Sequence, residues 1–371
     1  MMLFIVILIA LFTAWRLVVS VINYFSRLTV EGAGAPVGAG ELSILIPVRD
    51  EARNLPALFQ SLVMQRGDIE VIFCNDHSTD ATVSLIEAQA RCNPRIRLIH
   101  SPELPEGWFG KSFACFQLAA QARGRYLLFI DADVTLEPDG AFKALAYAKE
   151  HNLTLLSFFP RQIMSTSGER LTVPIMLRCL LSMLPLKTVG WKRFASLSAA
   201  NGQFMLFKGE DYHRIQPHEK ARGQRAEDIA IASLLKKEKY RMECLLGDGL
   251  VKCRMYAGYR EGVSGFSKNI DCFFGRSLLL TLFYGVCASV AGLIFIVPTT
   301  ASWPGGALFY TLLFLFTLLI INLSNLARVG IPVFRWLPVV LLQDIAFFHI
   351  FARSVYLRLS GKGSWKGRPL H

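Results

Sequence analysis

The stretch Leu127-Leu128-Phe129-Ile130-Asp131-Ala132-Asp133 constrains the fold of this chain more than any other. Four consecutive apolar residues suit a strand covered on both faces, as in a parallel sheet, and two carboxylates then emerge at its C-terminal end. Open α/β sheets bind ligands at that edge. Carboxylates one residue apart can share a hard divalent cation such as Mg2+ or Mn2+, which in turn holds a diphosphate. An isolated Asp-x-Asp is more often a surface turn, so the surrounding sequence has to decide.

The surroundings alternate. Strands are expected at Leu42–Val48, Ile69–Asn75, Ile96–His100 and Tyr126–Ile130, separated by helices near Arg53–Gln65, Asp80–Cys92 and Lys111–Arg123. Such spacing implies an α/β fold with a mostly parallel sheet flanked by helices. Further on, helices are expected at Pro138–His151 and Glu227–Lys239, and strands at Leu153–Phe159, Gln203–Lys208 and Leu250–Met255. Val173–Phe194 is apolar but carries Arg178, Lys187, Lys192 and Arg193 and is broken by Pro185. It suits a segment lying on a membrane surface, and equally a helical hairpin of the core.

With 371 residues, 53% of them hydrophobic, and a mean hydropathy above zero, the chain is too apolar to be wholly soluble. Residues 1–25 form an N-terminal transmembrane anchor, having about the 20 apolar residues a crossing needs and no clear cleavage site. A Gly/Ala-rich linker, 26–40, precedes the α/β domain, expected over 41–275. Its Glu31–Gly40 part lacks the third glycine of a dinucleotide fingerprint and precedes the first strand, so it is read as a tether. Residues 276–357 form a C-terminal membrane region, with spans at Ser277–Thr299 and Ala307–Leu326. Val333–Leu357 encloses Gln343, Asp344 and His349, which are costly at mid-bilayer, so it is expected to lie in the interface or re-enter, with a full crossing as the alternative. Residues 358–371 are a basic tail. Arg328, Arg335 and the tail cations place the domain and the tail in the cytoplasm of a multi-pass inner-membrane protein by the positive-inside rule.

The net charge of +12 is accounted for by anionic headgroups and phosphorylated substrates, without nucleic acid. None of the eight cysteines forms a Cys-x-x-Cys pair, which fits core residues in a reducing compartment and no zinc site.

The first strand ends in Pro47-Val48-Arg49-Asp50-Glu51 and the second in Asn75-Asp76-His77-Ser78-Thr79-Asp80, so both bring carboxylates to the edge that carries Asp131 and Asp133. Asp76 and Glu51 are placed to accept hydrogen bonds from a base or ribose. Asp80 is expected to cap the following helix and His77 to be a turn residue. Gly107-Trp108-Phe109-Gly110-Lys111 opens a helix with backbone N–H groups and a lysine, which favours a phosphate, although Lys111 also suits a solvated surface charge.

Taken in order, P-V-R-D-E, N-D-H-S-T-D, G-W-F-G-K, D-A-D and Glu227-Asp228 resemble the family 2 glycosyltransferases of GT-A fold. G-W-F-G-K, Gly265-Phe266-Ser267-Lys268-Asn269 and Trp365-Lys366-Gly367-Arg368 are similar to its membrane-bound branch of hopanoid-associated and carotenoid (diaponeurosporenoate-type) glycosyltransferases. The resemblance implies a metal-dependent, inverting transfer of one sugar from a nucleotide-sugar donor, UDP-linked, to a lipid acceptor. In it Asp76, with Pro47 and Glu51, contacts the nucleoside, Asp131 the ribose or metal, and Asp133 the metal. Asp228 is the general base supported by Glu227, and Asn201 and Gly202 lie under the acceptor. The Q-x-x-R-W motif of processive synthases is absent, since Pro332 stands where Arg335-Trp336 would need a glutamine. A polyprenyl-phosphate acceptor, or a non-catalytic nucleotide-binding scaffold, are the alternatives.

Overall fold

The computed structural model describes residues 2–30, 37–191, 194–300, 304–328, 333–361, 364–365 and 368–369. Part of the expected linker and part of the basic tail, including Lys366 and Gly367, lie outside them. The chain divides into two compact units. A sheet unit comprises Leu28–Ile163 and Leu186–Arg254, and a helical unit Met1–Arg27, Met164–Pro185 and Met255–His371.

The sheet unit contains strands β1 (Val37–Val48), β2 (Gly67–Asn75), β3 (Ile96–His100), β4 (Tyr126–Ile130), β5 (Val134–Leu136), β6 (Leu155–Phe159), β7 (Arg161–Gln162), β8 (Phe204–Lys208), β9 (Met242–Leu246) and β10 (Val251–Cys253). Seven of them form one sheet in the order β3-β2-β1-β4-β8-β6-β9. β1 to β4 are parallel, β8 is antiparallel to β4 and to β6, and β6 and β9 are parallel. The mostly parallel sheet expected from the alternation is therefore present. Its central strands are covered on both faces, with Ile44, Leu45, Ile72, Phe73, Leu127 and Leu128 buried, which is why they read as unbroken apolar runs.

β1 starts earlier than expected, at Val37. Its register on β2 slips between Val37 and Leu42, where Gly40 has a φ of +68° and Glu41 accepts a hydrogen bond from the Gly38 N–H at 3.0 Å. The glycines thus form a bulge within a strand. β9 had no counterpart among the expected strands. The Val173–Phe194 stretch is neither a hairpin nor one continuous segment: a helix Pro174–Met183 belongs to the helical unit and a 3-10 turn Leu186–Gly190 to the sheet unit, divided at Pro185.

The helical unit holds three helices whose Leu3–Phe25, Gly306–Ala327 and Val339–Ser360 stretches are long and apolar enough to cross a membrane. Two of the expected membrane segments differ in their internal geometry. Ser277–Thr299, expected to span, is two helices, Leu278–Ala288 and Leu293–Thr300, joined by a short 3-10 turn, and the bent pair turns by 89°. Ser289 makes the break, its hydroxyl accepting from the Ala291 N–H at 3.2 Å. Val333–Ser360, expected to lie flat or re-enter, is one continuous helix whose Gln343 and Asp344 turn inward to Arg178.

Gly124, at the start of β4, donates its N–H to Ser43 Oγ at 2.8 Å, and a Cβ there would stand 2.5 Å from the Ser43 nitrogen and 2.7 Å from the Leu42 carbonyl carbon. Because β1 is locked between β2 and β4, the backbone cannot yield. Gly124→Ala is expected to cost about 1–3 kcal/mol and lower the thermal midpoint in detergent, whereas Ala at the open Gly107 site is expected to clash with nothing, leaving only the strain of its positive φ.

Candidate active site

The parallel strands bring their C-terminal ends to one edge. Val48 of β1 is level with Asn75 of β2, and Ile130 of β4 with Phe204 of β8. Arg49 to Glu51, Asp76, and Asp131 to Asp133 therefore follow neighbouring strand ends. Because β8 runs the opposite way, the Asn201–Gln203 loop that precedes it reaches the same edge.

The loops after β1 and β2 clamp each other. Asp50, in the left-handed region at φ 50°, accepts the Thr79 N–H at 2.7 Å; Glu51 N–H donates to Thr82 Oγ1 at 2.8 Å, and Ala52 N–H to Asp80 at 3.1 Å. Asp80 also accepts from the Thr82 N–H at 3.0 Å, so it serves the first turn of the helix Thr82–Cys92 from just outside it. His77 has a φ of 56° and meets the Pro102 carbonyl at 3.3 Å, a turn residue as expected. Asp76 is buried, with Arg49 at 3.7 Å, and Glu51 accepts from Asn54 at 2.7 Å. Pro47 lies within β1 beside Cys74.

Lys111 is the hub of the other half. It stands in the first turn of the helix Gly110–Gln121, which Trp108 supports by packing edge-on against Phe113 at 5.3 Å. Its Nζ lies 2.7 Å from Asp131 Oδ1 and 2.8 Å from Oδ2, 3.4 Å from Glu227 Oε1, and 3.4 Å from the Gly202 carbonyl to which it donates. Burial alone would lower the Lys111 pKa, but Asp131 and Glu227 outweigh it and hold the group well above its ordinary value. Lys111 is thus an ion-paired centre, and the solvated surface charge is set aside.

Gly202 is where the parts meet. Its N–H donates to Asp228 Oδ2 at 3.0 Å, and a Cβ there would come within 3.0 Å of Lys111 Nζ and 3.3 Å of Glu227 Oε1. Ser157 of β6 fixes the loop by accepting the Asn201 N–H at 2.8 Å, and Asn201 Oδ1 accepts the Gln203 N–H at 2.9 Å. Glu227 and Asp228 open the helix Glu227–Lys237, and Asp228 Oδ1 accepts the Ile229 N–H at 2.8 Å. Burial raises the pKa of both carboxylates, against the opposing pull of Lys111 on each and of the Gly202 N–H on Asp228. A carboxylate so raised is a stronger base than one in water.

Asp133 stands apart. Its Oδ1 is buried without a hydrogen-bond partner, and burial, with Asp131 and Glu51 close by, pushes its pKa up to about 7. Among the described residues no three His, Cys, Asp or Glu side chains form a ready metal cage. The orphaned acceptor still fits a divalent cation of the Mg2+ class, which takes one or two protein carboxylates and completes its shell with water and substrate phosphate. Asp133 is the principal candidate ligand, because both oxygens of Asp131 already face Lys111.

One neighbour escaped sequence reasoning. Cys253 hydrogen-bonds Asp133, receives the Gln203 side-chain amide at 2.9 Å, and is followed by Arg254, whose N–H donates to the Asp133 carbonyl at 3.2 Å. It arrives because β10 pairs with β5, the strand directly after Asp133, placing Cys253 opposite Val134. A short apolar V-K-C run gives no sign of that pairing.

Comparison with known proteins bears on the family and the fold. Residues 43–215 match the model of the Glycosyl transferase family 2. The 4,4'-diaponeurosporenoate glycosyltransferase of Staphylococcus haemolyticus is 28% identical over 239 residues, 62% of this chain and 60% of that protein. The protein of the same name from Staphylococcus aureus is 28% identical over 263 residues, 68% of each chain. This chain thus spans three fifths of the length of the first of these relatives, by the 60% above. In fold it is similar to a mannosyltransferase from Pyrobaculum calidifontis solved with GDP-Man and Mn2+, with a TM-score of 0.59 at 15% identity over 96% of this chain and 99% of that one. At that identity the likeness shows a shared GT-A fold.

Two outcomes follow for stability. Lys111→Met leaves Asp131 and Glu227 facing each other without a cation. Since Lys111 keeps 24% of its side chain exposed, unfolding free energy is expected to fall by somewhat less than the roughly 3–5 kcal/mol of a fully buried pair. For Asp133, the pKa is about 7 folded and about 4 unfolded, so its contribution in chelator-treated protein is complete below about pH 4 and is lost as pH rises to about 7. Asp133→Asn is expected to flatten the thermal midpoint across that window and to raise it at pH 8.

Proposed function

We propose that this chain, whose residues 43–215 match the model of the Glycosyl transferase family 2, is a glycosyltransferase of that family and transfers a single sugar from a nucleotide-diphosphate donor, UDP-linked, to a lipid-like membrane acceptor with inversion at the anomeric carbon. The observation that carries the proposal is Lys111 Nζ joining Asp131, Glu227 and the Gly202–Asp228 pair at one sheet edge. Carboxylates from separate parts of the sequence have no structural need to converge there.

The roles divide by environment. Asp76, with Pro47 and Glu51, receives the nucleoside, its carboxylate oriented by Arg49. Asp133, with Asp131, would hold a Mg2+ or Mn2+ ion, which when bound offsets the charge of the departing diphosphate. Lys111 pairs with Asp131 and Glu227 and adds positive charge beside the phosphates. Asp228, held by the Gly202 N–H, takes the proton of the acceptor hydroxyl as its oxygen attacks the anomeric carbon from the face opposite the nucleotide, and no enzyme-bound sugar forms. Gly202 lacks a side chain, which lets the acceptor come close to the loop. The apolar helices motivate a lipid acceptor, and the basic residues flanking them a cytoplasmic domain at the inner membrane.

A second reading of the acceptor has its own support. The Staphylococcus relatives are named for a carboxylate, and an acceptor that arrives ionised, as a carboxylate or a polyprenyl phosphate, needs little help from a base. The two readings separate in one assay. Full-length protein, Mn2+ and membrane lipids are incubated with a panel of labelled nucleotide sugars, and label entering the lipid phase is followed. One sugar per acceptor is expected; neither transfer nor hydrolysis with any donor would overturn the proposal. Asp133→Ala is expected to weaken donor binding and abolish turnover. Asp228→Asn should leave donor binding intact while lowering turnover by roughly 100-fold or more for a hydroxyl acceptor. Near-normal turnover in Asp228→Asn, with a product labile to mild acid or base, would assign the ionised acceptor instead.

A further inference from the structure

Within the sheet unit, a directed hydrogen-bond relay ends on Asp133. Cys253 of β10 lies level with Val134 of β5 on one side and with Gln162 of β7 on the other. The Gln162 side-chain amide donates to Gln203 Oε1 at 3.4 Å, the Gln203 amide donates to Cys253 Sγ at 2.9 Å, and Cys253 hydrogen-bonds Asp133. Gln203 and Cys253 are both buried. Because Sγ already accepts from Gln203 and faces a carboxylate, the thiol is the donor to Asp133, and burial holds it protonated. Asp133 Oδ1 has no hydrogen-bond partner, so the thiol serves the other carboxylate oxygen.

The main chain fixes the same four positions. Ile163 N–H donates to the Cys253 carbonyl at 2.8 Å and Arg254 N–H to the Asp133 carbonyl at 3.2 Å, while Gln203 N–H donates to Asn201 Oδ1 at 2.9 Å. Gln203 therefore belongs both to the relay and to the Asn201–Gln203 loop. The contrast with Asp131 shows what the relay does. Both oxygens of Asp131 face an ammonium, a strong charged donor. An S–H group is a weak donor, so it can set the direction of a carboxylate while leaving its charge to another partner. Apolar side chains of the same shape could fill this volume without loss of stability, so the fold alone does not call for the relay.

We propose that Cys253, oriented by Gln203 and Gln162, is a positioning residue that turns Asp133 Oδ1 toward a divalent cation, an inference that rests on Asp133 being the cation's ligand. The thiol does not itself bind the ion. Through Gln203 the relay also joins the cation site to the loop under the acceptor.

The test reads Mn2+ binding directly, by the electron paramagnetic resonance of free Mn2+, in the full chain in detergent with UDP present and no acceptor. Asp133→Ala is expected to abolish the site. Cys253→Ala is expected to weaken Mn2+ binding by roughly 10- to 100-fold, the usual loss when a group orienting a metal ligand is removed, and Gln203→Met to weaken it as well. Cys253→Ser keeps a donor in place and is expected to restore affinity to near the wild-type value. No wild-type binding, or binding that Asp133→Ala leaves unchanged, would overturn the assignment of Asp133 and this inference with it. Binding lost in Asp133→Ala but untouched in Cys253→Ala would overturn this inference alone. Cd2+ separates positioning from ligation, because a coordinating sulfur favours the softer ion. The ratio of Cd2+ to Mn2+ affinity is expected to be the same in wild type and Cys253→Ser; a Cd2+-selective loss would make Cys253 a ligand and end its positioning role. Where Cys253→Ala does not fold, infrared spectra decide. Mn2+ is expected to shift an S–H band of the wild type that Cys253→Ser lacks, and an unshifted band would sink the proposal.

Discussion

Like charges brought to one place must be compensated, and at this sheet edge a single ammonium does most of that work. Asp131, Glu227 and Asp228 are partly or wholly withdrawn from water, and their mutual repulsion would favour protonation or separation. Lys111 removes the choice by touching Asp131 and Glu227 together, while the Gly202 N–H takes up Asp228. The consequence for sequence falls on position 202, where a Cβ would crowd the ammonium at 3.0 Å and Glu227 at 3.3 Å. The two neighbouring acids differ accordingly, Asp131 being paired with Lys111 while Asp133 Oδ1 is buried without a hydrogen-bond partner.

How much of this was legible in the sequence depended on range. Strand ends were readable because apolar runs such as Leu127–Ile130 stop abruptly at charged residues, and the parallel order of neighbouring strands then fixes which loops share an edge. Asp76, Asp131 and Asp133 needed nothing more. The convergence of Lys111 with Glu227 and Gly202 was indicated only by resemblance, because no local pattern connects a helix start near 110 to a loop near 202. Cys253 was beyond reach for a related reason: its position depends on β10 crossing to β5, and short strands carry little register information of their own. The strand β9 at the sheet edge was lost in the same way.

Hydropathy carried less information in the apolar segments. Averaged over a window, Ser277–Thr299 looks like a better span than Val333–Leu357, because the average is insensitive to where a chain breaks and to whom a charge is paired. A single hydroxyl at Ser289 ends one helix and starts a turn, whereas Arg178 receives the Gln343 and Asp344 that made the last segment look unsuitable. A local hydroxyl bends the first segment, and a partner distant in sequence compensates the polar groups of the second.

The 89° bend between Leu278–Ala288 and Val290–Pro298 bears on parity. Counted as one broken span, the pair brings the candidate crossings among the described residues to four, and counted as a re-entrant loop it leaves three. The parity of the crossings thus turns on one hydroxyl-capped break.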